Sequence, residues 1–394
     1  MELHDVSERG PGEKRKYAYL APFHLPTGFA QAARENLKAL DRAGLSICGK
    51  DTALPNLSFF LKKELVLTDH AMNELTDDRP EYAGPFEGFL LHTTGDAIRH
   101  MGQPTLAHLV WEVERLPDGW AERANQMDAI FTPSEFSKRL FVDGGVTKPI
   151  YVVPHPIDLT IYHPDVKPVV SIERPDTVFL TVAQWMPRKG LEDVLLAYLT
   201  EFKEDESVAL MLFVWGGSHG LMERENIKER IRRLRDGLNI GGTPKIWYIG
   251  ENIPREAIPE IYALADVHVS ASRGEAFSLP VFEAAACAKP TVMTGYGGAW
   301  NYLDDDSAYR VEYDMEPAHG VGGNWKHYNA RQLWARARIM SLRQQMRRAH
   351  EDKTERERMG QRALEVVIDN MTHDKVGNEM KVRFLDHVEA KVGV

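Results

Sequence analysis

Two successive series of strand-length apolar runs, each alternating with helix-length amphipathic segments, constrain this chain more than any other feature. Such alternation builds parallel sheets covered by helices, because parallel neighbours need a crossover connection. In the first series, strands are expected at Lys16 to Pro22, Gly88 to His92, Thr105 to Val110, Ala129 to Thr132 and Ile150 to Val153. A helix carrying Ala33, Leu37 and Leu40 on one face stops at Gly44. In the second, strands are expected at Thr177 to Ala183, Val208 to Val214, Lys245 to Ile249, Val267 to Ser270 and Thr291 to Met293, with a helix presenting Leu191, Val194, Leu195 and Tyr198. Between the series, Pro154, Pro156, Pro164, Pro168 and Pro175 disfavour continuous helix or central strand and mark an interdomain connection. With 394 residues, two cores of about 150 to 200 residues each are expected. From Arg331 to Val394 the pattern reads as mostly helical, with charge runs such as Arg347 to Lys353 on solvated faces or in a loop between helices.

Composition narrows the class. With 43% hydrophobic and 27% charged residues the chain is globular. Its longest apolar runs, such as Val208 to Trp215, fall well short of the ~20 residues that span a bilayer. Met1-Glu2-Leu3-His4-Asp5 is acidic and polar where an export signal is basic and then apolar. Cys48 and Cys287 are too few for a disulfide framework or a zinc cluster and suit a reducing compartment. The expected location is therefore the cytoplasm, with peripheral attachment to a membrane left open. A net charge of -10 argues against bulk attraction to nucleic acid or anionic lipid, although local basic patches remain open.

The most informative motif is Glu275-Ala276-Phe277-Ser278-Leu279-Pro280-Val281-Phe282-Glu283, which puts two carboxylates eight positions apart across a strand-to-helix turn. Pro280 suits a first helical turn, where its missing N–H matters least. Amides around Phe277, Ser278 and Leu279 then form a helix N-terminus that favours a phosphate. The plainer alternative is a helix whose early glutamates complement its dipole. A second motif, Gln184-Trp185-Met186-Pro187-Arg188-Lys189-Gly190, lies between a strand and a helix, where α/β sheets hold ligands. Two adjacent cations there suit a diphosphate, the alternative being an exposed basic loop. In the first series, the backbone at Gly28 leaves room for a phosphate to approach, or simply forms a turn. His92 follows one strand and Glu112 closes another, positions that more often serve structural hydrogen bonds.

Glu275-x-Phe277-Ser278-x4-Glu283, followed by Ala284 to Val292 and Gly297-Gly298, resembles the Glu-x7-Glu signature of the retaining GT-B glycosyltransferases of glycosyltransferase family 4, the glycosyl transferases group 1. The resemblance implies an α/β GT-B fold, two Rossmann-like domains facing each other across a cleft. Residues 1–165 would bind the acceptor, 166–371 the nucleotide sugar, and 372–394 would form a helix packing back on the first domain. It implies retaining transfer of a hexose from a UDP- or GDP-sugar to an acceptor hydroxyl, with no metal and no cofactor beyond the donor. Glu275 would hold donor-sugar hydroxyls and Glu283 the ribose. The family's Gly-Arg-Leu-x-x-x-Lys-Gly places Lys on Lys189, but Ala183 and Gln184 stand where Gly and Arg are usual. Either Arg188 supplies the missing charge or Gln184 offers a neutral hydrogen bond. Gly28, Gln184, Phe277, Ser278 and Leu279 complete the implied donor site. His92 and Glu112 are candidates for the catalytic groups that the first domain contributes. The acceptor is left open among a glycan, a lipid-linked carrier and a small molecule, with nucleic acid disfavoured by charge.

Other patterns fail on context. Gly44 to Asp51 nearly spells a P-loop but has Asp51 where a magnesium-binding Ser or Thr is needed, and it follows a helix. No Gly-x-Gly-x-x-Gly follows a strand, which disfavours a dinucleotide enzyme. Asp304-Asp305-Asp306 reads as a solvated turn, and Arg230, Arg232, Arg233 and Arg235 as an exposed helix face without stacking aromatics. Two further readings keep the pocket and change the role: a nucleotide-sugar-binding regulatory protein, and a GT-B sugar-nucleotide epimerase.

Overall fold

The computed structural model describes residues 15–52, 75, 85–168, 173–216, 221–251, 253–321 and 327–392. Each series of the sequence becomes one six-stranded parallel sheet. The first comprises β1 (Tyr17–Ala21), β2 (Ile47–Asp51), β3 (Gly88–His92), β4 (Thr105–His108), β5 (Ala129–Thr132) and β6 (Ile150–Val152), in the order β2-β1-β3-β4-β5-β6. Helices α1 (Gly28–Arg42), α2 (Trp120–Ala124) and α3 (Glu135–Asp143) accompany it. The second comprises β7 (Thr177–Gln184), β8 (Val208–Trp215), β9 (Lys245–Ile249), β10 (Val267–Ser270), β11 (Thr291–Thr294) and β12 (Ala308–Val311), in the order β12-β11-β10-β7-β8-β9. Its helices are α4 (Leu191–Glu201), α5 (Leu221–Gly237), α6 (Ile258–Leu264) and α7 (Leu279–Ala286).

Both faces of the second sheet are covered, as its near-continuous apolar strands require. Along β7, Val178, Leu180 and Val182 pack with Val281 and Phe282 of α7, while Phe179 and Ala183 pack with Val194, Leu195 and Tyr198 of α4. Period-two alternation thus feeds two cores from one strand. After an antiparallel pair, β13 (Tyr313–Pro317) with β14 (Leu333–Ala337), the chain ends in α8 (Ile339–Glu351), α9 (Lys353–Asn370) and α10 (His373–Val392).

Several segments depart from the sequence reading, among them the strands β12 and β13, neither of which was expected. Ile47–Asp51, inside the rejected P-loop, is the edge strand β2, since Ile47 and Cys48 are apolar enough to bury beside β1. Leu333–Ala337 lies in the stretch read as helical but is a strand, because Trp334 and Ala335 are buried and their packing overrides the helix-permitting Ala and Arg. Trp334 joins a core that holds Trp111 and Trp120 of the first domain. The last helix also crosses over: Val376, Met380, Phe384 and Val388 of α10 pack with Tyr17, Leu37 and Leu40.

Candidate active site

Loops at the carboxyl ends of the two sheets meet, and the Glu275 motif lies where they touch. β10 ends at Ser270, and the following turn enters α7 through Ser278, whose φ of 71° is left-handed. A non-glycine residue in that region is uncommon and clusters at functional sites. The first amides of α7 have no intrahelical acceptors and carry the positive end of its dipole. Gly298 seats the turn from below: its N–H donates to Glu275 O at 2.7 Å, and an added Cβ would stand 1.8 Å from Ala276 O. Thr181, Lys189, Ser270, Glu275 and Ser278 line a crevice at this point.

Glu275 is anchored from the opposite loop. Lys189 Nζ donates to Oε1 at 2.5 Å, Ser272 Oγ donates to the same oxygen at 2.7 Å, and Arg188 Nη1 lies 3.3 Å from Oε2. Burial alone would raise the Glu275 pKa, but the charges of Lys189 and Arg188 and these hydrogen bonds outweigh it and bring it down to about 2. The loop is no exposed basic patch, because Arg188 is buried. Its guanidinium reaches Gly274 O at 2.5 Å and Glu112 Oε1 at 3.2 Å, so it serves carboxylates from both domains. Lys189 is the cation that borders the crevice. The Gln184 side chain turns elsewhere, donating to Gly216 O at 3.1 Å.

Glu283 is 5% exposed and accepts three hydrogen bonds from protein. Its Oε1 accepts from Gln31 Nε2 at 2.9 Å and Tyr162 OH at 3.2 Å, and its Oε2 accepts from Tyr262 OH at 2.8 Å. Burial dominates there and raises its pKa despite those donors and nearby Arg255. Gly28 stands opposite Leu279, whose Cδ1 would lie 3.3 Å from a Cβ added to the glycine. Thr27 caps α1 by accepting from Ala30 N at 3.2 Å. The first turns of α1 and α7 therefore face each other, bridged by Gln31 and Glu283.

His92 belongs to a column that the sequence reading did not assemble. His92 and His108 are register partners on β3 and β4, with ring centroids 4.4 Å apart, and His155 from the proline-rich connection stacks 5.2 Å beyond His108. Tyr19 OH lies 2.8 Å from His92 Nδ1, and Phe277 meets His155 edge-on at 5.0 Å. Burial holds His92 and His108 well below the usual histidine range and takes His155 down to about 3, so the column is uncharged. Gln31, Tyr162, Tyr262, Ser272, His108 and His155 were not singled out from sequence. Only His155, set between two prolines, carried a local signal. Asp304 is tied into a local turn by Ser307 and the Asp306 amide, and Asp305 and Asp306 are exposed.

Two facing parallel sheets, with charged loops at their carboxyl ends, define a GT-B fold. The family model for glycosyl transferases group 1 matches residues 176–318, which lie in the second domain. Mannosylfructose-phosphate synthase of Agrobacterium fabrum is 32% identical over 131 residues, 32% of this chain and 27% of that protein. D-inositol 3-phosphate glycosyltransferase of Acidothermus cellulolyticus is 25% identical over 213 residues, 52% of this chain and 46% of that protein. These matches thus span about a quarter to a half of the curated relatives. Among solved structures, Anabaena HepE in complex with UDP-glucose superposes with a TM-score of 0.64 at 14% identity, covering 95% of this chain and all of that one. Sucrose-phosphate synthase from Thermosynechococcus elongatus gives 0.64 at 14% identity, covering 96% and 100%.

Proposed function

We propose that this chain is a glycosyltransferase that transfers a hexose from a UDP- or GDP-sugar to an acceptor hydroxyl, with retention of configuration and without a metal. The observation that carries the reading is the pairing of ionised Glu275 with Lys189 at a crevice bordered by a helix N-terminus. As the glycosidic C–O bond breaks, its electron pair moves onto the diphosphate and the sugar gains oxocarbenium character. Groups fixed around the diphosphate stabilise that state more than the bound donor. Lys189 has two further N–H donors for the diphosphate, and the α7 amides add partial positive charge. Glu275 holds sugar hydroxyls, while the acceptor oxygen attacks from the leaving-group face and passes its proton to a departing phosphate oxygen. Residues 166–371 bind the donor and 1–165 the acceptor, which is a glycan, a lipid-linked carrier or a small molecule, in the cytoplasm or at a membrane surface. HepE, solved with UDP-glucose, supports the donor class. Among the described residues no helix is long and apolar enough to cross a membrane.

A second reading is favoured by one feature. With Glu283 occupied by Gln31, Tyr162 and Tyr262, and Gln184 tied to Gly216, the pocket also suits a sensor that binds nucleotide sugar without turnover. The test is a panel of UDP-glucose, UDP-N-acetylglucosamine and GDP-mannose, scored by thermal stabilisation and then by donor hydrolysis. The glycosyltransferase reading expects stabilisation by one donor, release of its sugar with the anomeric configuration kept, and insensitivity to chelator. Binding without turnover selects the sensor, and a changed free sugar nucleotide selects an epimerase. No stabilisation by any of the three sinks the reading.

A further inference from the structure

We propose that Glu112 is a positioning residue of the first domain. It orients Arg188, and through it Glu275, so that the sugar clamp is complete only when the two domains touch. The inference rests on the donor-clamp reading of Glu275 and adds a residue from the opposite domain to it.

Glu112 follows β4 and directs its carboxylate at the second domain. There it accepts from Arg188 Nη2 at 3.2 Å and from Tyr328 OH at 2.6 Å. Tyr328 comes from the segment between β13 and β14 and stacks on Trp111, ring centroids 5.1 Å apart, so the carboxylate is gripped by two groups from across the cleft. The backbones meet as closely. A Cβ added to Gly274 would stand 2.1 Å from Glu112 O, so the turn carrying Glu275 rests directly on the main chain at Glu112.

Charge explains why this contact governs Glu275. Arg188 and Lys189 face Glu275 and Glu112, two cations against two carboxylates, in a region where Arg188 is 8% exposed. Without Glu112, buried Arg188 and half-buried Lys189 share one carboxylate. An uncompensated buried charge is strongly unfavourable, so the guanidinium leaves Glu275 for solvent. Glu275 then loses the group that fixes its Oε2, while Lys189 and Ser272 hold only Oε1. Arg188 acts here as a bridge between domains, which leaves Lys189 as the cation for a diphosphate.

The test uses the intact chain carrying Glu112→Gln, Glu112→Asp, Arg188→Gln or both Gln changes. UDP and GDP serve as binding probes, and UDP-glucose and GDP-mannose as turnover probes. Expected is free-nucleotide affinity within about twofold of the parent and turnover per folded molecule at least about tenfold lower in Glu112→Gln, with Glu112→Asp recovering part of it. The double variant is expected to lose no more than Arg188→Gln alone, because the two residues act as one unit. Parental turnover in Glu112→Gln, or losses that multiply in the double variant, overturns the proposal. A purely structural ion pair would lower the melting temperature and leave turnover per folded molecule unchanged. A crystal structure of ligand-free Glu112→Gln is independent of donor identity: Arg188 is expected to leave Glu275, and a guanidinium still within hydrogen-bond distance overturns the proposal. A parent that neither binds nor turns over any probe sinks the glycosyltransferase reading, and the variant's structure then decides this proposal by itself.

Discussion

Glu275 and Glu283 stand eight residues apart on one motif yet answer acid in opposite senses. The folded-state pKa of Glu275 is depressed to about 2 from 4.5. Its stabilising contribution is therefore complete above pH 4.5 and is lost as the pH falls towards 2. That depression is equivalent to about 3 kcal/mol, of which about 1.4 kcal/mol has gone by pH 3.5. Glu275→Gln removes the carboxylate and leaves Lys189 without its counter-charge. It should lower stability at pH 7 by about 3 kcal/mol, and the gap to the parent should narrow by about 1.4 kcal/mol at pH 3.5. Glu283 has a raised folded-state pKa, so what it adds is present below pH 4.5 and lost as the pH rises through that raised value. Glu283→Gln keeps an acceptor for the tyrosine hydroxyls and removes a buried charge, so at pH 7 it should fall within about 1 kcal/mol of the parent or exceed it. Urea unfolding of parent and both variants at pH 7, 5 and 3.5 measures the three quantities. A Glu275→Gln gap that does not change with pH refutes the idea that Lys189 and Arg188 hold this carboxylate ionised. A Glu283→Gln loss as large as that of Glu275→Gln refutes the opposed signs.

The histidine column makes its own prediction. His92, His108 and His155 have depressed folded-state pKa values, so their contribution is present above pH 6.5 and lost as the pH falls below it, with a slope of up to about 1.4 kcal/mol per pH unit for each ring. His108→Leu should flatten the fall in stability between pH 6.5 and 5 by one such share, and an unchanged slope in the same urea series would show that the ring accepts its proton in the folded protein. Gly298→Ala sets backbone against backbone at Ala276 O, so the Glu275 turn must move and donor hydrolysis should drop by about 100-fold. Gly28→Ala meets only the end of the Leu279 side chain and should stay within about threefold in the same assay; equal losses in the two variants would remove the turn's special role.

What could be read from the chain was what is local in it. The alternation of Val178, Leu180 and Val182 with Phe179 and Ala183 announces a strand buried on both faces, and the second parallel sheet follows. Glu275, Ser278 and Glu283 share one turn and one helix, so their spacing alone places them together. The partners that decide the state of these carboxylates come from far away: Gln31 is 252 positions from Glu283, and Tyr328 is 216 from Glu112. No window of sequence contains such pairs. Leu333–Ala337 was misread for the same reason, since Trp334 finds its burial in the first domain's core. Arg188 was read beside Lys189 as a cation for a diphosphate; Glu112 and Glu275, which engage it, reach it only through the fold.

Those long-range contacts bear on how a donor would enter. Glu283 accepts three hydrogen bonds with two oxygens, close to what a carboxylate takes. A ribose that needs more than the one acceptor position left on Oε2 must displace Gln31 or Tyr162. Each ribose hydroxyl would then restore a bond of similar kind, so the exchange is nearly neutral and contributes little net affinity. The same holds at Glu275, where sugar hydroxyls would compete with Ser272 and Lys189. Net affinity must therefore come chiefly from the diphosphate at the α7 amides and at the N–H donors of Lys189 that Glu275 does not take. Free UDP should on this ground bind nearly as tightly as the full sugar nucleotide, with the sugar's interactions appearing in turnover instead of in binding.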